Sequence, residues 1–274
     1  MGTSVWSTRI ERHDGDTVAA VDDILVTEEP LEIRLGHGPE HDRREFRLSV
    51  TMRTPGNDAE LALGFLFTEG IITEPSEVLR VAPCVNVKDE ERGNVVRAEL
   101  QPSIDLEPGK WQRNFYTSSS CGVCGKTSID AVHATCTRTI EPFGTIDRGV
   151  ITALPERMRA AQTVFKHTGG IHAAALFDRS GGLLLLREDI GRHNAVDKLV
   201  GAMLMNDVDP KEKTLLVSGR ASFELVQKCV VAGIPVMAAV GAPSSIAVQL
   251  ARTSGVSLIG FLRNGRFNQY APMR

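Results

Sequence analysis

The sequence has little of what marks the more specialised classes of protein. Aromatic residues make up 5% of the 274 residues, and five cysteines are too few for a disulfide scaffold of this length. No run of residues approaches the roughly 20 apolar positions that a membrane span needs. The first residues also lack the apolar stretch of a secretory signal. We therefore expect a cytoplasmic protein with free thiols and no membrane partner.

The sequence also lacks a strong charge of either sign. The net charge is −3, so no basic field favours nucleic acid as a partner. Hydrophobic residues at 42% and charged residues at 24% are typical of a soluble globular protein. The length allows one large domain or two smaller ones with a substantial hydrophobic core.

The first part of the chain predicts a small α+β domain. Residues 1–16 are polar, and we expect them to form a flexible N-terminus. Runs rich in Val, Ile and Leu, each stopped by charge or glycine, then predict strands with one helix among them. The three strands, the helix and a final hairpin are predicted at residues 18–29, 31–36, 46–53, 58–70 and 77–102. The N-terminal domain therefore covers residues 17–110.

The last part of the chain alternates between helix-like and strand-like segments. Helices are predicted at residues 154–170, 191–205, 221–233 and 244–255, and strands at 171–178, 183–189, 214–219, 234–241 and 256–262. Such alternation indicates a largely parallel sheet with helices on both faces. We predict an α/β domain over residues 129–274, in which ligands collect outside the carboxyl ends of the strands.

A loop at residues 111–128 joins the two domains and carries two thiols in the segment SSSCGVCGKTS. A phosphate-binding loop would need glycine at position 120, where the chain has Ser120. A thioredoxin-like dithiol would follow a strand, and the preceding residues predict none. A zinc site stays open, because Cys121, Cys124, His133 and Cys136 have the spacing C-x2-C-x8-H-x2-C.

A nucleophilic or persulfide-carrying thiol fits the same segment better. Lys126 and the amides of the neighbouring glycines favour the thiolate over the thiol. Small residues on both sides leave room for the active site of another protein to reach the sulfur. We predict that Cys121 and Cys124 carry the chemistry and that Lys126 biases their ionisation. Cys84 and Cys229 are predicted to be inert core thiols.

The segment REDIGRHN follows a predicted strand and opens a helix. A helix cap would explain one polar residue there, but not a whole cluster at one helix start. We therefore favour a ligand-facing group over the simple cap. Its members are Asp189, Arg192, His193 and Asn194. Arg187 and Glu188, just before them, are interpreted as an ion pair with each other.

Two further strand ends predict anion sites. Helix amides and arginine both bind anions, so Ser218, Gly219 and Arg220 favour a phosphate contact at the start of the next helix. Gly241 and Ser244 repeat this pattern one strand later. Turn chemistry alone stays an alternative for both segments.

Six segments in matching order resemble the FdhD family of formate dehydrogenase accessory sulfurtransferases. They are SSCGVCGK, TGGIHAAAL, REDIGRHNAVDKLVG, SGRASFELVQK, VGAPSSIAVQLA and GFLRNGRFNQYA, within residues 45–271. The resemblance implies a sulfur carrier that accepts persulfide sulfur from a cysteine desulfurase. It also implies transfer of that sulfur to the molybdenum of the bis(molybdopterin guanine dinucleotide) cofactor of formate dehydrogenase.

The resemblance further implies a fold and a cofactor site. The C-terminal domain resembles the three-layer cytidine deaminase fold. A GDP-like nucleotide is expected in the cofactor site, where arginine pairs with phosphate and phenylalanine stacks on a base. The matching stretch consists of Gly260, Phe261, Leu262, Arg263, Asn264, Gly265 and Arg266.

His172 lies where a deaminase would have its H-x-E motif. The carboxylate of that motif is replaced by Ala174, so we predict no deaminase chemistry and keep His172 as a candidate ligand contact. We predict a sulfurtransferase without a protein-bound metal. We also predict a homodimer, because the cofactor has two arms related by near symmetry. The alternative is a zinc-stabilised chaperone that binds a nucleotide cofactor without sulfur chemistry.

Overall fold

The computed structural model describes residues 2–104, 140, 143–144 and 146–272. Across these residues, no helix is long and apolar enough to serve as a membrane span. The part of the chain that the structure describes is a mixed α/β protein with three sheets of two, four and six strands. The α/β class predicted from the sequence is therefore confirmed.

The N-terminal residues form an antiparallel ribbon of β1 (Val5–Asp14) and β2 (Thr17–Val26). The sequence patterns predict no strand within residues 1–16, so β1 was missed. Most β1 side chains are polar and exposed, so the strand lacks the alternation that marks a half-buried strand. It forms because its backbone pairs with β2 around a tight turn at Gly15, whose φ is 58°.

A four-stranded sheet follows, with the strand order β4-β3-β6-β5. Its strands are β3 (Glu29–His37), β4 (Arg44–Arg53), β5 (Val78–Pro83) and β6 (Val95–Leu100), and α1 (Asp58–Thr68) lies between β4 and β5 in sequence. The pairing of β5 with β6 is antiparallel, which confirms the predicted hairpin, and β3 pairs with β6 in parallel. Short 3₁₀ turns occur at Pro75–Glu77 and Asp89–Glu91.

The six-stranded sheet has the order β12-β11-β10-β9-β7-β8. Its strands are β7 (His172–Phe177), β8 (Leu183–Asp189), β9 (Thr214–Val217), β10 (Val236–Ala239), β11 (Ser257–Arg263) and β12 (Arg266–Ala271). Strands β9, β10 and β11 pair in parallel, whereas β7 and β12 run antiparallel to their neighbours. The predicted largely parallel sheet is thus correct for the three central strands.

Five helices accompany this sheet in the described residues. They are α2 (Arg148–Ala161), α3 (Thr163–Thr168), α4 (Arg192–Met205), α5 (Phe223–Val231) and α6 (Ser245–Ser254). The single helix predicted at 154–170 is therefore wrong in two ways. It begins earlier, where Asp147 accepts hydrogen bonds from the amides of the first turn, and it is broken at Gln162.

The helices cover both faces of the sheet, as predicted. On one face α2 buries Ile151, Leu154 and Met158 against β7, β9 and β10. On the other face α4, α5 and α6 belong to a hydrophobic cluster that also includes residues of α1 and of the four-stranded sheet. The parts before and after the undescribed segment therefore share one hydrophobic core.

Helices α1 and α4 approach each other closely at two glycines. A Cβ atom on Gly64 would lie 1.8 Å from the carbonyl oxygen of Asp197, and one on Gly201 would lie 1.9 Å from that of Glu60. No side chain fits at such distances, so the backbones touch because both positions are glycine. This crossing fixes the position of the N-terminal sheet relative to α4.

Candidate functional site

The strand ends of the six-stranded sheet bring most of the predicted site residues to one edge. Strands β8, β9, β10 and β11 all point their carboxyl ends to this edge, and the antiparallel β7 begins there. His172, the first residue of β7, pairs in register with Asp189, the last residue of β8. Segments that are distant in sequence therefore meet, as the sequence predicts for strand ends of such a sheet.

A cavity of about 880 Å³ opens at this edge, and we call it the sheet-edge cavity. Residues of α2, the α2–α3 junction and α3 form part of its wall, including Arg159, Gln162 and Phe165. Its volume lies in the range of small-molecule and cofactor sites. Five of the residues predicted to bind cofactor line it, namely His172, Ser218, Leu262, Arg263 and Asn264.

Arg263 and Asn264 reach the cavity from a tight hairpin between β11 and β12. Asn264 and Gly265 have φ angles of 53° and 69°, so both adopt the left-handed conformation of a two-residue turn. Phe261 also has a positive φ, 53°, and the Arg263 guanidinium carbon lies 5.8 Å from its ring centroid. The residues interpreted as a strand end are therefore a hairpin, and β12 was missed.

Several predicted ligand residues build the turns of this edge. Gly241 donates its amide to the carbonyl of Gly219 at 2.9 Å, and a Cβ on Gly241 would lie 2.9 Å from that oxygen. A Cβ on Gly260 would lie 2.8 Å from Cδ of Pro243. The Ser244 hydroxyl accepts from the amide of Ala247 and caps α6. The turn alternative is therefore enough to explain the residue type at Gly241 and Ser244, and close packing against Pro243 explains it at Gly260.

The remaining predicted contacts at this edge are exposed. Arg220, Gly265 and Arg266 lie at the surface and line neither the sheet-edge cavity nor its neighbour. The hydroxyl of Ser218, in contrast, accepts a hydrogen bond from the amide of Ala173 at 2.9 Å. Ser218 is therefore fixed in the cavity wall by the same strand that carries His172.

A second cavity of about 610 Å³ lies between the start of α4 and the N-terminal part of the chain. We call it the junction cavity. His172 and Ile190 line both cavities, whereas Thr51 and Met52 of β4 line this one alone. The predicted cluster of Arg192, His193 and Asn194 faces the junction cavity rather than the sheet-edge cavity.

Asp189 is buried between these elements instead of facing either cavity. Its side chain is 0% exposed, and Lys198 lies 2.8 Å from its Oδ2 atom. The amides of Thr54 and Gly191 and the Asn194 side chain also donate to its carboxylate, at 3.1, 2.8 and 3.1 Å. The geometry assigns Asp189 to holding the N-terminal part against α4, and leaves no free oxygen for a ligand.

The two histidines near the junction cavity are held neutral at physiological pH. Burial, and then the positive charge of Arg192, lower the pKa of His172. Burial, followed by the charges of Lys228 and Arg192, lowers the pKa of His193 to about 3. The Nε2 atom of His193 has no hydrogen-bond partner in the described residues, and the Glu224 carboxylate is 4.0 Å away.

A second buried charged group lies deeper in the same junction. The Lys228 ammonium lies 2.9 Å from Asp197 and 2.9 Å from Glu69. Burial alone would lower the pKa of Lys228, but the two carboxylates outweigh it and raise that pKa. Thr68 donates to Asp197 at 2.7 Å, so the end of α1 is bound to α4 and α5.

The interpretation of Arg187 and Glu188 as one ion pair is wrong. Arg187 forms a two-pronged contact with Glu60 of α1, in which Nη2 lies 2.6 Å from Oε1. The Glu188 carboxylate instead accepts from the amides of Val164 and Phe165, both at 2.9 Å. Neither partner is near in sequence, so local pattern gave no signal for these contacts.

The thiols divide between described and undescribed residues. Cys84 lies directly after β5, and burial raises the pKa of its thiol, while Cys229 is fully buried in α5 and its pKa is raised for the same reason. The prediction of an inert core thiol is supported at Cys229, whereas Cys84 is only partly buried, so its prediction as a core thiol is wrong although its raised pKa disfavours reactivity. The predicted reactive group and the alternative zinc ligands lie outside the described residues, namely Cys121, Cys124, Lys126, His133 and Cys136.

Known proteins match this chain over almost its whole length. A family model described as the FdhD/NarQ family matches residues 26–274. A sulfur carrier protein FdhD from Streptomyces avermitilis is 49% identical over 276 residues, which cover 99% of this chain and 95% of that protein. Another from Mycobacterium tuberculosis is 45% identical and covers 98% of each chain.

A solved structure also matches the fold. It is a Desulfotalea psychrophila protein designated a putative formate dehydrogenase accessory protein, with a TM-score of 0.74 and 21% identity. The match covers 98% of this chain and 97% of the other. The structural match supports the α/β fold. Because the family model matches residues 26–274 and these relatives are 45–49% identical over nearly the whole chain, the chain belongs to the FdhD/NarQ family.

Proposed function

We propose that this protein is a sulfur carrier that supplies formate dehydrogenase with sulfur for its molybdenum cofactor. The observation that carries the proposal is the sheet-edge cavity, with Arg263, Asn264, Ser218 and His172 in its wall. These residues offer the cation and hydrogen-bonding groups that a nucleotide diphosphate requires. Family membership and the sulfur carrier name of the relatives support the same role.

The first chemical step is persulfide transfer to Cys121. Its thiolate attacks the outer sulfur of a cysteine desulfurase persulfide, and a new sulfur–sulfur bond forms on Cys121. The bond to the desulfurase cysteine breaks, and that cysteine leaves as a thiolate. Lys126 favours this step because a positive charge stabilises the attacking thiolate.

The second step releases the sulfur to molybdenum. In one route Cys124 attacks the inner sulfur of the Cys121 persulfide, and a Cys121–Cys124 disulfide forms while sulfide leaves. The two thiols supply the electrons that reduce sulfane sulfur to sulfide, and a cellular thiol then reduces the disulfide. In the other route Cys124 attacks the outer sulfur of the Cys121 persulfide and Cys121 leaves as a thiolate; Cys121 then attacks the inner sulfur of the new Cys124 persulfide, so the same disulfide forms and sulfide leaves. Both routes require a cofactor docked within reach.

The C-terminal part of the chain is the docking platform in this proposal. A guanosine diphosphate arm of the bis(molybdopterin guanine dinucleotide) cofactor enters the sheet-edge cavity, so GDP alone is expected to bind there. We also propose that this C-terminal part has the cytidine deaminase fold. A homodimer would offer two such cavities to the two arms of one cofactor.

The test is mass spectrometry of the protein after incubation with a cysteine desulfurase and cysteine. Wild-type protein is expected to gain the mass of one sulfur atom, and Cys121→Ala is expected to lose this gain. Cys84→Ala is the matched control, because Cys84 is a partly exposed thiol whose raised pKa disfavours the thiolate.

A sulfur gain that survives in Cys121→Ala but disappears in Cys124→Ala would move the carrier role to Cys124. A gain that survives in both variants would contradict the proposal. Stoichiometric zinc that is lost in Cys136→Ala and His133→Ala, without any sulfur gain in the wild type, would favour the chaperone alternative.

A further inference from the structure

Arg159 and Phe165 form a preassembled pair in the wall of the sheet-edge cavity. The guanidinium carbon of Arg159 lies 3.7 Å from the centroid of the Phe165 ring, and both residues line the cavity. This distance is typical of a guanidinium stacked on an aromatic face. The sequence predicted only an ordinary helix here, so neither residue was among the candidate site residues.

The backbone around Phe165 is held in place by Glu188. The carboxylate accepts hydrogen bonds from the amides of Val164 and Phe165, and it therefore satisfies the free donors at the start of α3. The buried side chain of Gln162 also contacts Glu188, at 3.4 Å. Strand β8 thus anchors α3, and Phe165 presents a fixed surface to Arg159.

The Arg159 guanidinium keeps its donors for a ligand. Arg159 is exposed, and in the described part of the chain its guanidinium makes no ion pair and no hydrogen bond. Arg263 adds a second guanidinium to the same cavity, and Glu156 is the one carboxylate among the described lining residues. Two arginines against one acid favour an anionic ligand with more than one charge.

We propose that Arg159 is a phosphate-binding residue of the sheet-edge cavity and acts with Arg263 on a nucleoside diphosphate. The inference rests on the proposed docking of a guanosine diphosphate arm and adds the residues that recognise its phosphates. Arginine binds phosphate through two parallel N–H donors, and stacking on Phe165 orients that fork before the ligand arrives. A preoriented side chain loses less freedom on binding, which favours affinity.

The test compares the binding of GDP and guanosine by calorimetry to wild-type protein and to Arg159→Gln. Without the charged hydrogen bonds from Arg159 to the phosphates, GDP should bind about 10-fold to 100-fold more weakly. Guanosine binding should change by less than about threefold, because guanosine carries no phosphate. Lys166→Gln is the matched control: it removes one positive charge from the adjacent helix at an exposed position outside the cavity wall.

The outcomes separate this inference from the docking proposal. If Arg263→Gln loses GDP binding while Arg159→Gln binds GDP like the wild type, docking stands and the role of Arg159 is overturned. Equal weakening of GDP and guanosine in Arg159→Gln would also overturn the phosphate assignment. If wild-type protein binds no GDP, the docking at this cavity fails and the role of Arg159 fails with it, whatever the result of the persulfide assay.

Discussion

The junction between α4 and the N-terminal part of the chain uses charged residues in the opposite way to the sheet-edge cavity. In the junction Lys198 and Asp189 are 1% and 0% exposed, and each is the other's ion-pair partner. At the cavity, Arg159 and Arg263 are exposed and lie near phenylalanine rings instead of acids. From this contrast we expect ligand contacts from charges that the protein leaves unpaired beside a cavity, rather than from charges that it pairs internally.

Removal of one partner of the buried pair should have the largest effect. Lys198→Met leaves the Asp189 carboxylate buried without its counter-charge, and we expect the free energy of unfolding to fall by about 3–5 kcal/mol. Urea unfolding followed by circular dichroism measures this change.

Arg92→Met provides the matched control for the buried pair. Arg92 and Asp89 form an ion pair whose side chains are 69% and 88% exposed, so its removal should cost about 0–1 kcal/mol. If Lys198→Met were no more destabilising than Arg92→Met, the description of the junction as a charged anchor would be wrong.

The second largest expected effect is a pH dependence of the free energy of unfolding, which His193 causes. The folded protein lowers the pKa of His193 to about 3 from the ordinary value of 6.5. Between these values the unfolded chain binds a proton that the folded chain does not, so stability falls as the pH is lowered through this window. From about pH 7 to about pH 5 the contribution is about 1–2 kcal/mol.

His193→Gln should remove this part of the pH dependence. The measurement is urea unfolding of both proteins at the two ends of that pH range. His172 and the carboxylates of Glu69 and Glu224 are present in both, so the difference between the two proteins isolates His193. Parallel pH profiles for wild type and variant would show that His193 is not the group responsible.

The smallest effect on stability is expected in the cavity. Arg263 is exposed and has no ion pair within the described residues, so Arg263→Gln should change the free energy of unfolding by less than about 0.5 kcal/mol. The same variant should lose GDP binding. Urea unfolding together with calorimetry checks both expectations, and a decrease of more than about 1 kcal/mol would mean that the cavity wall also supports the fold.

Sequence patterns predicted the helices and strands that depend mainly on residues close together in the sequence. Helix α1 follows from an apolar run that glycine ends, and the β5–β6 hairpin follows from two strand-like runs around a charged turn. The convergence of Ser218 and Arg263 at one edge followed from the expectation that the carboxyl ends of the strands meet, whereas the place of His172 at the start of β7 did not. The antiparallel pairing of β7 with β9 was less accessible, because alternation of helices and strands does not reveal the direction of each neighbour, and β12 was missed altogether.

The segment REDIGRHN shows why the remaining contacts could not be predicted from local patterns. Asp189 and Asn194 were interpreted as ligand contacts, but their partners include Thr54 and Met52, which are distant in sequence. The same holds for Arg187 and its partner Glu60. A polar cluster at a helix start has the same sequence signature whether it faces a ligand or another part of the chain, and only tertiary packing decides between the two.

The close contact of α1 with α4 has a consequence for folding while the chain is being synthesised. Helix α1 leaves the ribosome long before α4 exists, and its apolar residues Leu61 and Leu66 belong to the hydrophobic cluster that α4 completes. The N-terminal part must therefore wait, partly unburied, until most of the chain has been synthesised. A nascent or truncated chain that ends before α4 is expected to expose this surface and to depend on chaperones for its solubility.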